Sequence, residues 1–261
     1  MNDIVIIAPY KDLFSLCNRI IEERGYKDID VILGDLSQGV VEAKKAVAKG
    51  AKIIISRGGT YRMIKNSVNI PVVELRITAF DLLKGFKEVM DYKGKIGVVG
   101  FENVIYGCKK IGEVLDLDIV KIQLNKDKEE DAEEVIKPYV EKGVKVFIGD
   151  TIGSRVSRKL NCKSYFITSG EDSVISAIKD AKRALMLSKA EQERAEKFKN
   201  ITNFVHDGII SIDEKGRITL INNIAKDMFE LGNDAVGEPV SEILQKLSRK
   251  PMTLVIGMKV Y

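Results

Sequence analysis

Short apolar runs rich in valine and isoleucine recur along the first two thirds of the chain, separated by stretches with helical spacing. The runs Ile4–Ala8, Asp30–Leu33, Lys52–Ser56, Val72–Leu75, Lys95–Gly100, Ile119–Gln123, Lys145–Gly149 and Ser164–Thr168 predict strands. Between the first two, Leu13, Leu16, Cys17, Ile20, Ile21 and Arg24 return every three to four positions. That spacing predicts a helix with one buried face, stopped by Gly25 at the position where a left-handed residue is favoured. Strands alternating with helices of this length imply parallel sheets built from right-handed crossovers.

The pattern repeats. Gly50-Ala-Lys-Ile-Ile-Ile-Ser-Arg-Gly-Gly aligns with Gly143-Val-Lys-Val-Phe-Ile-Gly-Asp-Thr-Ile, and the register holds through Pro71-Val-Val-Glu-Leu against Ser164-Tyr-Phe-Ile-Thr. Upstream, Ile4-Val-Ile-Ile-Ala matches Ile96-Gly-Val-Val-Gly at nearly the same offset. Two α/β units, residues 1–92 and 93–185, facing each other, account for this. The alternative is the generic likeness of all parallel α/β segments.

Sheets of this kind bind ligands outside the carboxyl ends of their strands. Here those ends are the loops Ala8-Pro9-Tyr10-Lys11, Ser56-Arg57-Gly58-Gly59-Thr60, Arg76-Ile77-Thr78, Phe101-Glu102-Asn103, Asp150-Thr151-Ile152-Gly153-Ser154 and Thr168-Ser169-Gly170. Each precedes a helix, so free N–H groups and positive helix ends converge on the space between the units. That chemistry suits an anion, with Arg57 as a bidentate carboxylate clamp. Gly58 and Gly59 either let backbone approach a ligand or only make a tight turn. Thr78 with Asp81 fits a capping box, and Asn103 and Ser169 fit N-caps, roles that do not prevent ligand contact. Arg57 ranks first, because a charge beside two glycines at a strand end has little structural purpose.

Composition narrows the classes. The chain has 261 residues, 45% hydrophobic and 31% charged, the mix of a soluble globular protein. No apolar run approaches the roughly 18 residues that span a bilayer, and no signal peptide opens the chain, so a cytoplasmic protein without membrane contact is expected. Net charge is +4, from 42 basic against 38 acidic residues, which gives no reason by itself to invoke nucleic acid. Cys17, Cys108 and Cys162 read as reduced thiols, and the single His206 cannot complete a zinc site with them. No P-loop, dinucleotide fingerprint, nucleophile elbow or H-E-x-x-H occurs. No catalytic residue, metal or cofactor is therefore expected. The enzyme reading that survives is a racemase or lyase acting on a small acid through Cys17 and Cys108, which fall in equivalent helices of the repeats. Against it, Cys17 lies on an apolar stripe, where an inert thiol is the commoner outcome.

From Glu171 the pattern becomes helical and continues to about Phe204, densely charged beyond Ser188, with apolar positions thinned to Ala190, Ala195, Phe198, Ile201 and Val205. It is either a solvated connector or a signalling coiled coil. A new unit follows: Ile209-Ile-Ser-Ile and Ile218-Thr-Leu-Ile flank Asp213-Glu-Lys-Gly, a hairpin by turn chemistry, with helices expected around Asn223–Glu230 and Val240–Leu247.

Residues 1–185 resemble the N-terminal sensory domain of propionate-catabolism activators, the PrpR N-terminal family. The matching segments are Ile55-Ser-Arg-Gly-Gly-Thr, Pro71-Val-Val-Glu, Ile96-Gly-Val-Val-Gly-Phe-Glu-Asn-Val-Ile-Tyr and Thr168-Ser-Gly-Glu-Asp-Ser. The segment from about Lys199 resembles the start of a PAS domain in Asp207-Gly-Ile-Ile-Ser-Ile-Asp, Gly216-Arg-Ile, Asn222-Asn-Ile-Ala and Gly237. The resemblance implies an α/β fold of two facing Rossmann-like parallel-sheet lobes, periplasmic-binding-protein-like, over 1–185. Lobes of about 1–76 and 77–168 would be followed by a helix from 171 packing back, a linker helix over 186–204 and a partial PAS (α+β) module over 205–261. It further implies the sensory region of a sigma-54-dependent activator, a homodimer whose full-length form works with sigma-54 RNA polymerase, ATP and DNA. No AAA+ motor or DNA-binding motif is present in this chain. Haem is not expected, since His206 precedes the PAS strands. A gene product acting only as a dimerising or inhibitory partner is a third reading. The best-known member is thought to sense 2-methylcitrate. A small anionic metabolite, a carboxylate, would then contact Arg57, Gly58, Gly59 and Thr60, with Thr78, Asn103, Tyr106, Asp150, Thr151, Ser169 and Ser173 completing the opposite walls. Asp150 would repel an anion unless it bonds a ligand hydroxyl or Arg57.

Overall fold

All eight valine- and isoleucine-rich runs form strands in the computed structural model, which describes residues 2–125, 129–204, 207–232, 235–241 and 256–258. The first lobe contains β1 (Ile4–Ala8), α1 (Lys11–Arg24), β2 (Ile29–Leu33), α2 (Leu36–Ala48), β3 (Ile53–Ser56), α3 (Gly58–Lys65) and β4 (Val72–Glu74). The second contains α4 (Ala79–Lys87), β5 (Ile96–Phe101), α5 (Glu102–Ile105), α6 (Cys108–Val114), β6 (Ile119–Leu124), α7 (Glu129–Glu141), β7 (Val146–Gly149), α8 (Thr151–Lys159) and β8 (Lys163–Phe166). Strand order is β2-β1-β3-β4 in one sheet and β6-β5-β7-β8 in the other. Every pairing in both is parallel. Register repeats too: Ile4 sits between Ile29 and Ile53, as Ile96 sits between Ile119 and Val146. The fold is two parallel-sheet α/β lobes of like topology.

Alternation along β1 explains the layers. Ile4, Ile6 and Ala8 join one core cluster with α1, while Val5 and Ile7 join another with Ala43, Ala46 and Ile64. Side chains on successive strand residues face opposite ways, so a central strand needs apolar residues throughout. Helix α1 ends as the sequence predicts, at Gly25 with φ 63°, whose N–H donates to the Glu22 carbonyl.

The chain passes between the lobes twice, at 75–78 and 167–170, and each passage sends a helix to the other lobe. Leu82 and Phe86 of α4 are buried in the core around β5 and β7. Val174, Ile178, Ala181 and Leu185, at the start of α9 (Glu171–Phe204), are buried against β1 and α1. Burial of each such aliphatic or aromatic side chain contributes about 1.5–3 kcal/mol, so each core depends on a helix that follows the opposite lobe's last strand.

Residues 1–186 form one compact unit and residues 187–261 another. In the second, β9 (Ile210–Ile212) and β10 (Ile218–Ile221) make the hairpin that the turn residues predict, antiparallel, with Gly216 at φ 71°. Asp213 Oδ1 accepts from the Lys215 and Arg217 amides, both at 2.9 Å. Helix α10 (Asn223–Phe229) follows, capped by Asn222, whose Oδ1 accepts from the Ala225 amide. Strand β11 (Ile256–Met258) pairs parallel to β9. The expected helix over Val240–Leu247 lies outside the described residues beyond Ser241, as do Val205 and His206.

Candidate functional site

Arg57 precedes α3 and makes no side-chain cap to it. Its guanidinium is instead 3% exposed and turned toward the return passage at 167–170. Nη1 donates to the Tyr10 hydroxyl at 2.7 Å and to Ser169 Oγ at 2.6 Å, and Nη2 donates to the Ile167 carbonyl at 3.0 Å. It also lies 5.3 Å from the Tyr10 ring centroid and 5.9 Å from that of Phe166. None of these partners is a carboxylate. A buried cation is tolerable when its donors are met, and here neutral oxygens meet them.

Gly58, Gly59, Thr60, Asp150 and Thr151 join Arg57 around one cavity, walled also by Asp35, Leu36, Phe101 and Ile152. Its volume of about 20 Å³ holds roughly one water. The lobes approach closely around it. Gly59 permits this, because a Cβ there would stand 2.6 Å from Cε2 of the Phe101 ring, which belongs to the other lobe. Gly58 has φ 56°, a conformation that favours glycine at the first residue of α3. Thr60 Oγ1 accepts from the Leu36 amide at 3.0 Å, and Asp35 pairs across the lobes with Arg155 at 3.1 Å.

Asp150 caps α8 by accepting from the Gly153 amide at 2.8 Å, and it also accepts from the Phe101 amide at 3.3 Å. Burial raises its pKa above the usual aspartate value, against the lowering effects of those two amides and of Arg57. A shift in that direction lessens the repulsion expected next to an anion.

Two further sequence candidates, Thr78 and Ser173, meet at a residue expected only to cap a helix. Asp81 is 4% exposed and accepts from the Thr78 amide at 2.8 Å, Ser173 Oγ at 2.6 Å and the Gly170 amide at 2.7 Å. The Thr78 hydroxyl accepts in return from the Asp81 amide, completing the capping box. Asp81 thus ties both passages together, and Arg57 holds the return passage from the other side. Thr78, Ser169 and Ser173 belong to this hinge network. Ser169 caps no helix: it precedes Gly170, and its hydroxyl accepts from Arg57.

Asn103 and Tyr106 lie elsewhere, in a pocket of about 510 Å³ that also has Tyr61, Arg62, Glu74, Arg76, Ile77, Glu102, Gln123 and Asn125 in its wall. Asn103 is not an N-cap, because β5 runs through Phe101 and that residue precedes α5. Its amide Nδ2 donates to Glu74 Oε1, while its buried Oδ1 has no partner. An orphaned buried acceptor costs about 1–3 kcal/mol. Arg62, in the wall of this pocket, stacks 4.7 Å from the ring centroid of Phe101, which walls the Arg57 cavity. Sequence reasoning missed Asp81 as a hinge and Glu74, Arg62 and Tyr61 as wall residues; only the clustering of Thr, Ser and Gly on both passages signalled the first.

Neither cysteine of the enzyme reading is poised for chemistry. Cys17 is fully buried in the core under α1, and burial pushes its thiol up to about 12. Burial raises Cys108 as well, against the lowering effect of Lys121. Thiolates are the nucleophiles, so raised thiols are poor ones. Among the described residues no group of three or more His, Cys, Asp or Glu is placed to hold a metal, and no helix is long and apolar enough to cross a membrane.

Two parallel α/β lobes, crossed twice by the chain and meeting around a small cavity at their strand ends, define a two-lobed domain with a periplasmic-binding-protein-like fold. The chain belongs to the PrpR_N family, described as propionate catabolism activator, whose model matches residues 23–191. It therefore carries the sensory regulatory domain of an activator. The structure of an NtrC family transcriptional regulator from Clostridium acetobutylicum is similar in fold over 72% of this chain and 98% of its own, with TM-score 0.63 and 20% identity. More remote are an ABC transporter solute binding protein from Clostridium phytofermentans with bound L-rhamnose (12% identity, 61% and 64% covered, TM-score 0.35) and an aspartate racemase homologue from Pyrococcus horikoshii OT3 (14%, 70% and 100%, TM-score 0.29). No curated protein matches.

Proposed function

We propose that residues 1–185 sense a small carboxylate bound between the lobes, and that lobe opening and closing is the signal. The observation that carries this is the cavity walled by Arg57–Thr60 of one lobe and Asp150–Thr151 of the other. At about 20 Å³ it has no room for a carboxylate ligand, so binding there requires the lobes to part, a two-state element of the kind a ligand biases. A carboxylate entering the parted lobes meets Arg57, and the upward shift of the Asp150 pKa by burial lessens its repulsion of the same ligand. Since α9 packs its first turns on the first lobe, movement between lobes shifts that helix relative to the second. The helix carries the change along the chain to residues 205–261, which we read as the beginning of a PAS domain. In the full-length cytoplasmic protein the output is a homodimeric sigma-54-dependent activator using ATP and DNA.

A thermal-shift screen of the full chain against small di- and tricarboxylates tests this. A ligand at 100 times its Kd adds about 2.7 kcal/mol, a rise of several degrees. The rise should vanish in Arg57→Ala. A screen without any shift sinks the carboxylate reading.

A further inference from the structure

The interlobe pocket around Asn103 carries charges of both signs. Arg62 reaches it from α3 and Arg76 from the first passage, and among the described residues neither has an ion-pair partner. The same wall includes acceptors: the Glu74 carboxylate and Asn103, whose buried Oδ1 has no hydrogen-bond partner. The amide orientation follows from Glu74, since the reverse would set the amide oxygen against a carboxylate. Glu102, also in the wall, is already neutralised by Lys121 at 2.6 Å. Tyr106, 77% exposed, and Tyr61 add aromatic surface. A ligand bearing only negative charge satisfies the arginines and leaves Asn103 Oδ1 unmet beside Glu74. One bearing only positive charge does the reverse.

We infer that this pocket takes an α-amino acid, its carboxylate on Arg62 and Arg76 and its ammonium on Glu74 and Asn103 Oδ1. The volume of about 510 Å³ lies within the 300–1,000 Å³ of ordinary small-molecule sites. Walls from both lobes mean that occupancy bridges them, so the ligand favours one interlobe geometry over another. The inference rests on the reading of this domain as an interlobe carboxylate sensor and adds to it a second site, apart from the Arg57 cavity.

The test is calorimetric titration of the full chain with the common amino acids, together with glutarate and cadaverine. These two are glutamate without its amine and lysine without its carboxylate. At least one amino acid should bind about tenfold or more tightly than glutarate or cadaverine. Arg76→Ala, at an exposed side chain, should weaken it about tenfold with an unchanged melting temperature of the free protein. Glu74→Gln and Asn103→Leu should weaken the amino acid while leaving glutarate unaffected. Glutarate binding as well as glutamate, with no response to Glu74→Gln, overturns the amino-acid inference and leaves the carboxylate sensor standing. Binding by neither amino acids nor any carboxylate overturns both. Amino-acid binding unmoved by Arg76→Ala and Glu74→Gln places the ligand elsewhere and overturns the assignment of this pocket.

Discussion

Arg57 and Asp150 occupy the same position in the two lobes, yet they work in opposite directions. Each is the extended residue between the third strand of its lobe's sheet order and the helix that follows. Asp150 turns back on its own helix and caps it. Arg57 ignores its helix and reaches the return passage of the chain. The next position differs in the same spirit: Thr151 stands where Gly58 does, and buried Ile152 stands where Gly59 lies under the Phe101 ring. A duplicated backbone fixes where a side chain leaves the chain. Its chemistry then decides whether it serves its own helix or the other lobe.

Arg57→Ala breaks the comparison most severely. It strands the Ile167 carbonyl and removes the Ser169 and Tyr10 contacts, so the unit should lose about 3 kcal/mol of stability in urea unfolding. The expectation that Arg57 has little structural purpose is therefore revised, and a loss below about 0.5 kcal/mol would show that these bonds do little for the hinge. Gly59→Ala comes next. Its Cβ must displace Phe101, at a cost of about 1–3 kcal/mol, and Phe101→Leu in the same chain should restore part of it. An additive double mutant would refute that contact.

Asp150→Asn has the smallest effect and the most specific one. Burial raises the folded-state pKa above the ordinary 3.8, so the native state binds a proton that the unfolded chain has released. That contribution is fully present below 3.8 and is lost as pH rises through the raised folded value. Asparagine retains the cap but cannot ionise, so stability of Asp150→Asn should fall less over that range than that of the unchanged chain. Parallel pH profiles of the two would mean that Asp150 ionises freely.

The eight strands, the repeat and the hairpin at Asp213–Gly216 were legible because each follows from local pattern: valine and isoleucine runs, Gly25, turn residues. The loops of the cavity were legible because strand ends precede helices. What escaped was every contact made across a long sequence separation. Nothing near Asp81 in the chain announces Gly170 and Ser173, and nothing near Asn103 announces Glu74. One strand residue also mattered: β5 includes Phe101, so Asn103 falls inside α5 instead of before it.

The exchange of helices between lobes also bears on how the protein is born. The core around β1 wants Val174, Ile178 and Leu185, which a ribosome delivers only after the whole second lobe. At 5–20 residues per second, the interval from β4 to Leu185 lasts on the order of 5–20 s. Through that time one face of the first sheet emerges without its cover. Chaperone capture of a chain stalled after residue 92, and its release once synthesis passes 185, is the expected signature of a molecule whose earlier half must wait for its later one.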